Sequence, residues 1–111
     1  MAHKQVAFLG SSLADLRQFS EPAKREVGSQ IDKIQHGQDP DDWKPMDTIG
    51  AGIKEIRVKD ASGIYRALYV AKFIDVVYVL HCFKKTSQTT SQRDKDVAAK
   101  RYKALLKELK L

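Results

Sequence analysis

At 111 residues and 42% apolar composition the chain can build one hydrophobic core and is too short for two ordinary domains, so residues 1–111 read as a single domain. The net charge of +6 lies wholly after residue 83, where nine Lys/Arg face only Asp94, Asp96 and Glu108, and that end would attract a polyanion. One cysteine, Cys82, rules out an internal disulfide framework, and no apolar stretch approaches the ~20 residues of a membrane span; a soluble protein of a reducing, cytoplasmic setting, without membrane association, is expected.

The apolar run at residues 6–9 ends at Gly10-Ser11-Ser12, and Ser12 with Asp15 predicts a capping box that opens a short helix burying Leu13, Leu16 and Phe19. Ser20 is the expected cap of a second helix, with Pro22 in its first turn, Val27, Ile31 and Ile34 on one face, and a stop near Gly37. These two helices are expected to pair antiparallel. Residues 38–52, punctuated by Asp, Pro and Gly, follow neither a strand nor a helix period and predict a long ordered loop, pinned to the core by Trp43 and Met46.

From Ile53 the pattern changes to three closely spaced strand candidates, residues 53–59, 64–73 and 74–83, forming an antiparallel meander. The third is apolar on both faces, as a strand covered on both sides should be. After a polar connection the tail turns helical: Ala98, Tyr102, Leu105 and Leu109 recur at helical spacing, Ser91 and Asp94 suit a helix start, and lysines fill the other positions. The outline is α+β, in the order β-α-α-β-β-β-α.

Hairpin parity converts this outline into a candidate site. With a four-residue loop at residues 60–63, Lys59 pairs with Ile64 and Arg57 with Arg66, so two guanidinium groups stand side by side, with Glu55 on the same side to offset them. Adjacent like charges cost stability, so their presence points to an anion-binding surface. The last strand then runs into Phe83-Lys84-Lys85-Thr86, which places two ammonium groups and a hydroxyl at a sheet end. Phosphate suits such a group, because arginine forks grip its oxygens bidentately and lysine supplies a mobile charge whose pKa neighbouring cations can lower. Cleaving RNA without a metal requires the ribose 2′-hydroxyl deprotonated, the crowded phosphate stabilised and the leaving 5′-oxygen protonated. Arginine and lysine fit the second task best. His81 is expected to pack within its strand, His36 to complement a helix C-terminus, and His3 to be terminal. The histidines and Cys82 lack zinc-site spacing, and Asp39, Asp41, Asp42 and Asp47 read as a solvated loop, so neither metal nor cofactor is expected.

Several stretches, taken in order, resemble one family: residues 6–12, Asp42-Trp43-Lys44-Pro45-Met46, residues 50–57 from Gly50 to Arg57, Ile64-Tyr65-Arg66, residues 79–86 ending Phe83-Lys84-Lys85-Thr86, and Ala98-Ala99-Lys100-Arg101-Tyr102. The chain is similar to a HigB-like, phage-related branch of the RelE/ParE toxin superfamily. The resemblance implies a microbial-RNase-like fold, a type II toxin that cuts mRNA in the ribosomal A site as a metal-independent endoribonuclease, and a cognate antitoxin, often a helix-turn-helix protein. The antitoxin would cover the active surface and carry the pair to operator DNA. By position, the resemblance assigns Arg57, Arg66, Lys84 and Lys85 to catalysis and Lys54, Thr86, Lys100 and Arg101 to RNA binding. Some relatives place a tyrosine or histidine shortly after the last basic position, whereas this chain reads Thr86-Ser87-Gln88-Thr89-Thr90, which leaves Lys84 or Lys85 as the candidate for proton transfer. The shared fold also admits a ParE-like inhibitor of DNA gyrase, and the basic tail alone would serve a noncatalytic nucleic-acid-binding module.

Overall fold

The computed structural model describes residues 3–85 and 89–111. Strand β1 (Gln5–Phe8) leads to helices α1 (Ser12–Arg17) and α2 (Glu21–Gln35), followed by strands β2 (Trp43–Pro45), β3 (Ile53–Asp60), β4 (Gly63–Val70) and β5 (Val76–Lys85), and by helix α3 (Gln92–Glu108). The expected α+β order is present, with one strand added. That strand, β2, lies inside the stretch read as loop: it is only three residues long and contains Pro45, which hides it from any periodicity test.

The five strands form one sheet in the order β1-β5-β4-β3-β2. Strands β2 to β5 run antiparallel to their neighbours, while β1 joins β5 in parallel after the chain has crossed over through both helices. The β3–β4 hairpin has the expected register, with Lys59 opposite Ile64 and Arg57 opposite Arg66; pairing continues to Asp60 opposite Gly63, so the loop shrinks to Ala61-Ser62. Asp60 Oδ1 accepts from Ser62 N at 2.7 Å and Gly63 N at 3.2 Å, an Asx turn that closes it.

Each helix forms where side-chain chemistry permits. Ser20 caps α2 by accepting from Ala23 N at 3.2 Å, Pro22 occupies the first turn, and Gly37, with φ +81°, ends the run. At α1 the cap lies one residue earlier than expected: Ser11 precedes the helix and bonds Asp15, while Ser12 is buried and donates to Val79 O at 3.2 Å. The two helices, expected to pair antiparallel, make their main contacts with the sheet: α1 packs on β5 and α2 chiefly on β3. Ser91 caps α3 through Asp94 N at 3.1 Å. No helix among the described residues is long and apolar enough to cross a membrane.

Two cores sandwich the sheet. Val27, Ile31 and Ile34 of α2 with Leu16 of α1 cover Ile56, Val58, Tyr65, Ala67, Val77 and Val79. On the other face Ala98, Tyr102 and Leu105 of α3, with Met46, cover Ile53, Leu68, Val70, Leu80 and Phe83. Met46 is a core anchor as expected, but Trp43 is only half-buried, on the edge strand, with Lys54 Nζ 4.5 Å from its ring centre.

The decisive irregularity is in β5. Its pairing with β4 runs Tyr69 opposite Val79 and then Leu68 opposite His81, so Leu80 has no partner and forms a bulge. Before the bulge the odd-numbered residues Val77 and Val79 face α1 and α2; after it Cys82 faces them instead. His81, Phe83 and Lys85 are thereby delivered to the face of Arg57 and Arg66.

Gly50 packs closely against α3. A Cβ there would lie 2.4 Å from the ring of Tyr102, whose hydroxyl donates to Ala51 O at 2.6 Å. Gly50→Ala is expected to cost about 1–3 kcal/mol by overpacking. Gly28→Ala, in the middle of α2 with nothing within 4 Å of the new methyl, is expected to stabilise by roughly 0.5–1 kcal/mol. Urea unfolding of both variants checks the pair; equal effects would refute the packing account.

A basic cleft on the open half of the sheet

Helix α3 and Met46 pack over Ile53, Leu68, Val70 and Leu80 on their face of the sheet. Beside these residues the register aligns Glu55, Arg57, Arg66 and Lys85, and β2 adds Lys44 directly opposite Glu55. Glu55 is 1% exposed and Arg66 5%, so both are charged groups inside the fold. Glu55 Oε1 lies 3.4 Å from Arg66 Nη1 and 3.8 Å from Arg57 Nε, and Glu55 Oε2 accepts from Thr90 Oγ1 at 2.7 Å. One buried carboxylate thus stands against two guanidinium groups and the ammonium of Lys85.

The cations retain unused donor capacity. Arg57 Nε, Arg66 Nε and Arg66 Nη1 are buried with no hydrogen-bond partner among the described residues, and buried donors of this kind are normally satisfied. A small cleft of about 120 Å3 opens beside Glu55, lined also by Lys44, Arg57, Lys85, Thr90 and Lys95. An adjoining cleft of about 240 Å3 is lined by Asp42, Arg57, Lys59, Ile64 and Arg66. Arg57 forms the wall common to both, so its guanidinium can address a group held on either side. An oxyanion entering here would meet forked and point-charge donors together.

Electrostatics follow from this crowding. Burial, then the neighbouring Arg66, Arg57 and Lys44, lowers the Lys85 pKa from the ordinary lysine value, with Glu55 opposing. Burial lowers that of Arg66 as well, Arg57 adding to it and Glu55 opposing, although a guanidinium stays charged. Lys85 is therefore the group in this cluster suited to giving up a proton and taking one back.

The remaining expected site residues are distributed elsewhere. Lys84 points to the opposite face, exposed, with its Nζ 5.6 Å from the Tyr65 ring centre and its side chain over Gly63, where a Cβ would come within 2.7 Å of Lys84 Cε. Lys54 also lies on that opposite face, against Trp43 and 3.5 Å from Asp39. Arg101 serves the fold: its Nη1 donates to Leu80 O at 2.9 Å, its Nη2 to Ser11 Oγ at 3.1 Å, and its guanidinium lies against Gly10, whose φ of +55° and missing Cβ allow that approach. Lys100 is exposed on α3, and Thr86 lies outside the described residues. His81 packs as expected, with Nε2 2.7 Å from Asp94 Oδ1 and its ring stacked on Phe83 at 4.9 Å. Burial pushes the Cys82 thiol up to about 12, which leaves it little thiolate character.

Sequence reasoning missed Lys44 and Lys95. Lys44 becomes visible only once residues 43–45 are recognised as a strand facing Glu55, and Lys95 only once the phase of α3 above the cleft is known.

The family model for phage-derived protein Gp49-like (DUF891) matches residues 14–103. Among solved structures, that of a double arginine-to-alanine variant of the E. coli toxin RelE in the free state superimposes with a TM-score of 0.58 at 17% identity, covering 96% of this chain and 100% of that one. No curated protein sequence matches the chain at comparable stringency.

Removing the buried carboxylate of Glu55 should leave Arg66 buried beside Arg57 and Lys85 without its nearest counter-charge. Glu55→Gln is therefore expected to destabilise the fold by about 3–5 kcal/mol, read by chemical unfolding; a loss below ~1 kcal/mol would show that the cluster does not depend on it. Lys85 gives a pH signature. Its folded pKa is depressed, so on approaching the ordinary value of about 10.4 the unfolded chain binds more protons than the folded one. The stability of the wild type relative to Lys85→Met should then rise as the pH is raised through the window below about pH 10. A difference that stays flat across that window would contradict the assignment.

Proposed function

Because the chain belongs to the phage-derived Gp49-like family and carries the RelE-type fold, we propose that it is a toxin of the RelE/ParE superfamily, in its HigB-like branch, that cuts mRNA on the ribosome and stops translation. The observation that supports this most is the convergence of Arg57, Arg66 and Lys85 around a single buried carboxylate, with Lys44 and Lys95 at the mouth of the cleft. A protein that only needed a folded sheet would gain nothing from crowding these cations together. A polyphosphate chain crossing the face would supply the missing anions.

In this reading Arg57 and Arg66 hold the nonbridging oxygens of the scissile phosphate and stabilise the charge that builds as a fifth oxygen approaches phosphorus. Lys85, in its neutral fraction, takes the proton of the ribose 2′-hydroxyl. The 2′-oxygen bonds to phosphorus, the bond from phosphorus to the 5′-oxygen breaks, and that oxygen leaves with a proton from solvent. The products are a 2′,3′-cyclic phosphate and a 5′-hydroxyl end. Glu55 acts on the arginines, not on RNA: it fixes the direction of both guanidinium groups. The exposed lysines of α3 extend the basic surface towards ribosomal RNA, which fits a protein that cuts message on the ribosome and naked RNA poorly. A cognate antitoxin, of the small helix-turn-helix kind, covers this surface in the cytoplasm and carries the pair to its operator DNA.

Primer extension on mRNA from cells induced to make the protein tests the reading. Codon-linked cuts are expected, and Arg57→Ala or Lys85→Ala should reduce them by about 100-fold or more, the scale for losing one donor to transition-state charge. Lys84→Ala, on the far face, should leave the cuts in place at equal expression. Intact message with accumulating DNA breaks would instead identify a gyrase inhibitor. Growth arrest lost on Lys103→Ala and Lys107→Ala but kept in Lys85→Ala would point to binding through α3 alone.

A further inference from the structure

The hydroxyl-rich connection between β5 and α3 ends inside the basic cleft. Thr89 and Thr90 both line it, together with Lys44, Arg57, Lys85 and Lys95. Thr89 is exposed and Thr90 half-buried, and neither belongs to a helix or strand, so a modifying enzyme can reach this backbone without opening an element of the fold. The next hydroxyl is committed to structure: Ser91 Oγ caps α3 and donates to Asp94 Oδ2 at 2.6 Å. Thr90 Oγ1 is placed differently. It donates to Glu55 Oε2 at 2.7 Å, and the other oxygen of that carboxylate stands 3.4 Å from Arg66 Nη1 and 3.8 Å from Arg57 Nε. A single carboxylate separates this hydroxyl from both guanidinium groups.

The surroundings are short of negative charge. Glu55 is the one carboxylate lining the cleft, against Lys44, Arg57, Lys85 and Lys95, with Arg66 behind it. Three guanidinium nitrogens, Arg57 Nε, Arg66 Nε and Arg66 Nη1, are buried with no hydrogen bond among the described residues. A phosphoryl group on Thr90 would bring about two negative charges and three acceptor oxygens into this cleft of about 120 Å3. With Glu55 that makes about three negative charges against these five cations, so attraction to the cluster outweighs repulsion from the carboxylate.

We propose that Thr90 is a phosphorylation site, and that the phosphate attached there closes the basic cleft by taking up the cations a substrate phosphate would use. Held on the chain, the group competes with incoming RNA at an effective concentration of about a millimolar or more. A protein kinase carries out the step. Thr90 Oγ1 bonds to the γ-phosphorus of a nucleoside triphosphate, the bond from that phosphorus to the β,γ-bridging oxygen breaks, the diphosphate leaves, and the hydroxyl proton passes to the kinase. Loss of cleavage on modification rests on this cleft being the RNA-cutting site; occupation of the cations by the phosphate does not.

Cys82 permits a direct test, because a synthetic segment 82–111 with phosphothreonine at position 90 can be ligated to recombinant 1–81 to give the full chain. In phosphorus NMR the second ionisation of that phosphate, ordinarily at about pH 6, is expected to fall below about pH 5 and to return when Arg57→Ala is added. Inorganic phosphate, followed by the backbone amides of Arg57 and Lys85, should bind about tenfold or more weakly than to the same ligated chain with unmodified Thr90. In a translating extract the modified chain should cut message at least about tenfold more slowly. Both NMR readouts report on Thr90 even where the unmodified chain leaves message intact. An ionisation that stays at about pH 6, or equal phosphate binding, would overturn the proposal. Should the ligated chain fail to refold, recombinant Thr90→Glu is compared with Thr90→Gln: about tenfold weaker phosphate binding by the former is expected, and equal binding would overturn the proposal as well. In cells that make the protein from its own gene, the tryptic peptide 86–93 is expected to carry one phosphoryl group on Thr90. Its absence in every growth phase, or modification only at another hydroxyl of that peptide, would count equally against it.

Discussion

A single extra residue in β5 sets the arrangement of both faces of the sheet. Side chains alternate strictly along a strand, so without the bulge at Leu80 the odd-numbered positions would stay on the side of α1 and α2 from Val77 to Lys85. Lys85 would then lie under the α1–α2 layer and Cys82 under α3. The bulge reverses the alternation once, which lets β5 send Val77, Val79 and Cys82 into one core and Leu80 and Phe83 into the other. The same reversal brings Lys85 to Arg66 and Arg57 and leaves Lys84 on the far face. Packing and site are thus consequences of one backbone feature, in keeping with the tendency of bulges to lie beside functional residues.

The cation cluster is tolerable only because of what lies beneath it. Two arginines opposed across a hairpin repel, and burial deprives them of water; Glu55 supplies the compensating charge to both, and Thr90 fixes the carboxylate from above. The balance is incomplete, since three buried guanidinium nitrogens have no hydrogen bond among the described residues. A site left short of acceptors is well disposed towards a phosphate, whose oxygens fill that deficit without rearranging the protein. Preorganisation of this kind costs folding stability and favours binding.

Helix α3 divides the surface by where it stops. Its apolar stripe covers Ile53, Leu68, Val70 and Leu80, while its first turns stand beside the basic cleft and hold His81 through Asp94. Arg101 ties the same helix to the β1–α1 turn and to β5. The helix therefore bounds two distinct surfaces: the basic cleft on the sheet face and the strand edge beside α1. Family membership rests on residues 14–103 and the RelE-type fold on 96% of the chain, but the roles of these two surfaces depend on their own residues.

Much of this was determined by local sequence. Periodicity and caps place α2, α3 and the three long strands, because those signals arise within one element; the Arg57–Arg66 register follows from the short turn and strict alternation, and Glu55 from its spacing to Arg57. The identity of the basic residues at the end of β5 was equally plain. What tertiary structure alone decided was which of them share a face. The bulge at Leu80 has no marker in an unbroken apolar run, and it separates Lys85 from Lys84. β2 is too short to show a period, so Lys44 was hidden, and Arg101 looks like any helix-surface cation until Gly10 and Leu80 O are seen around it. Composition and local pattern specify which elements form; which side chains meet depends on register irregularities and long-range packing, where residues far apart in the chain decide together.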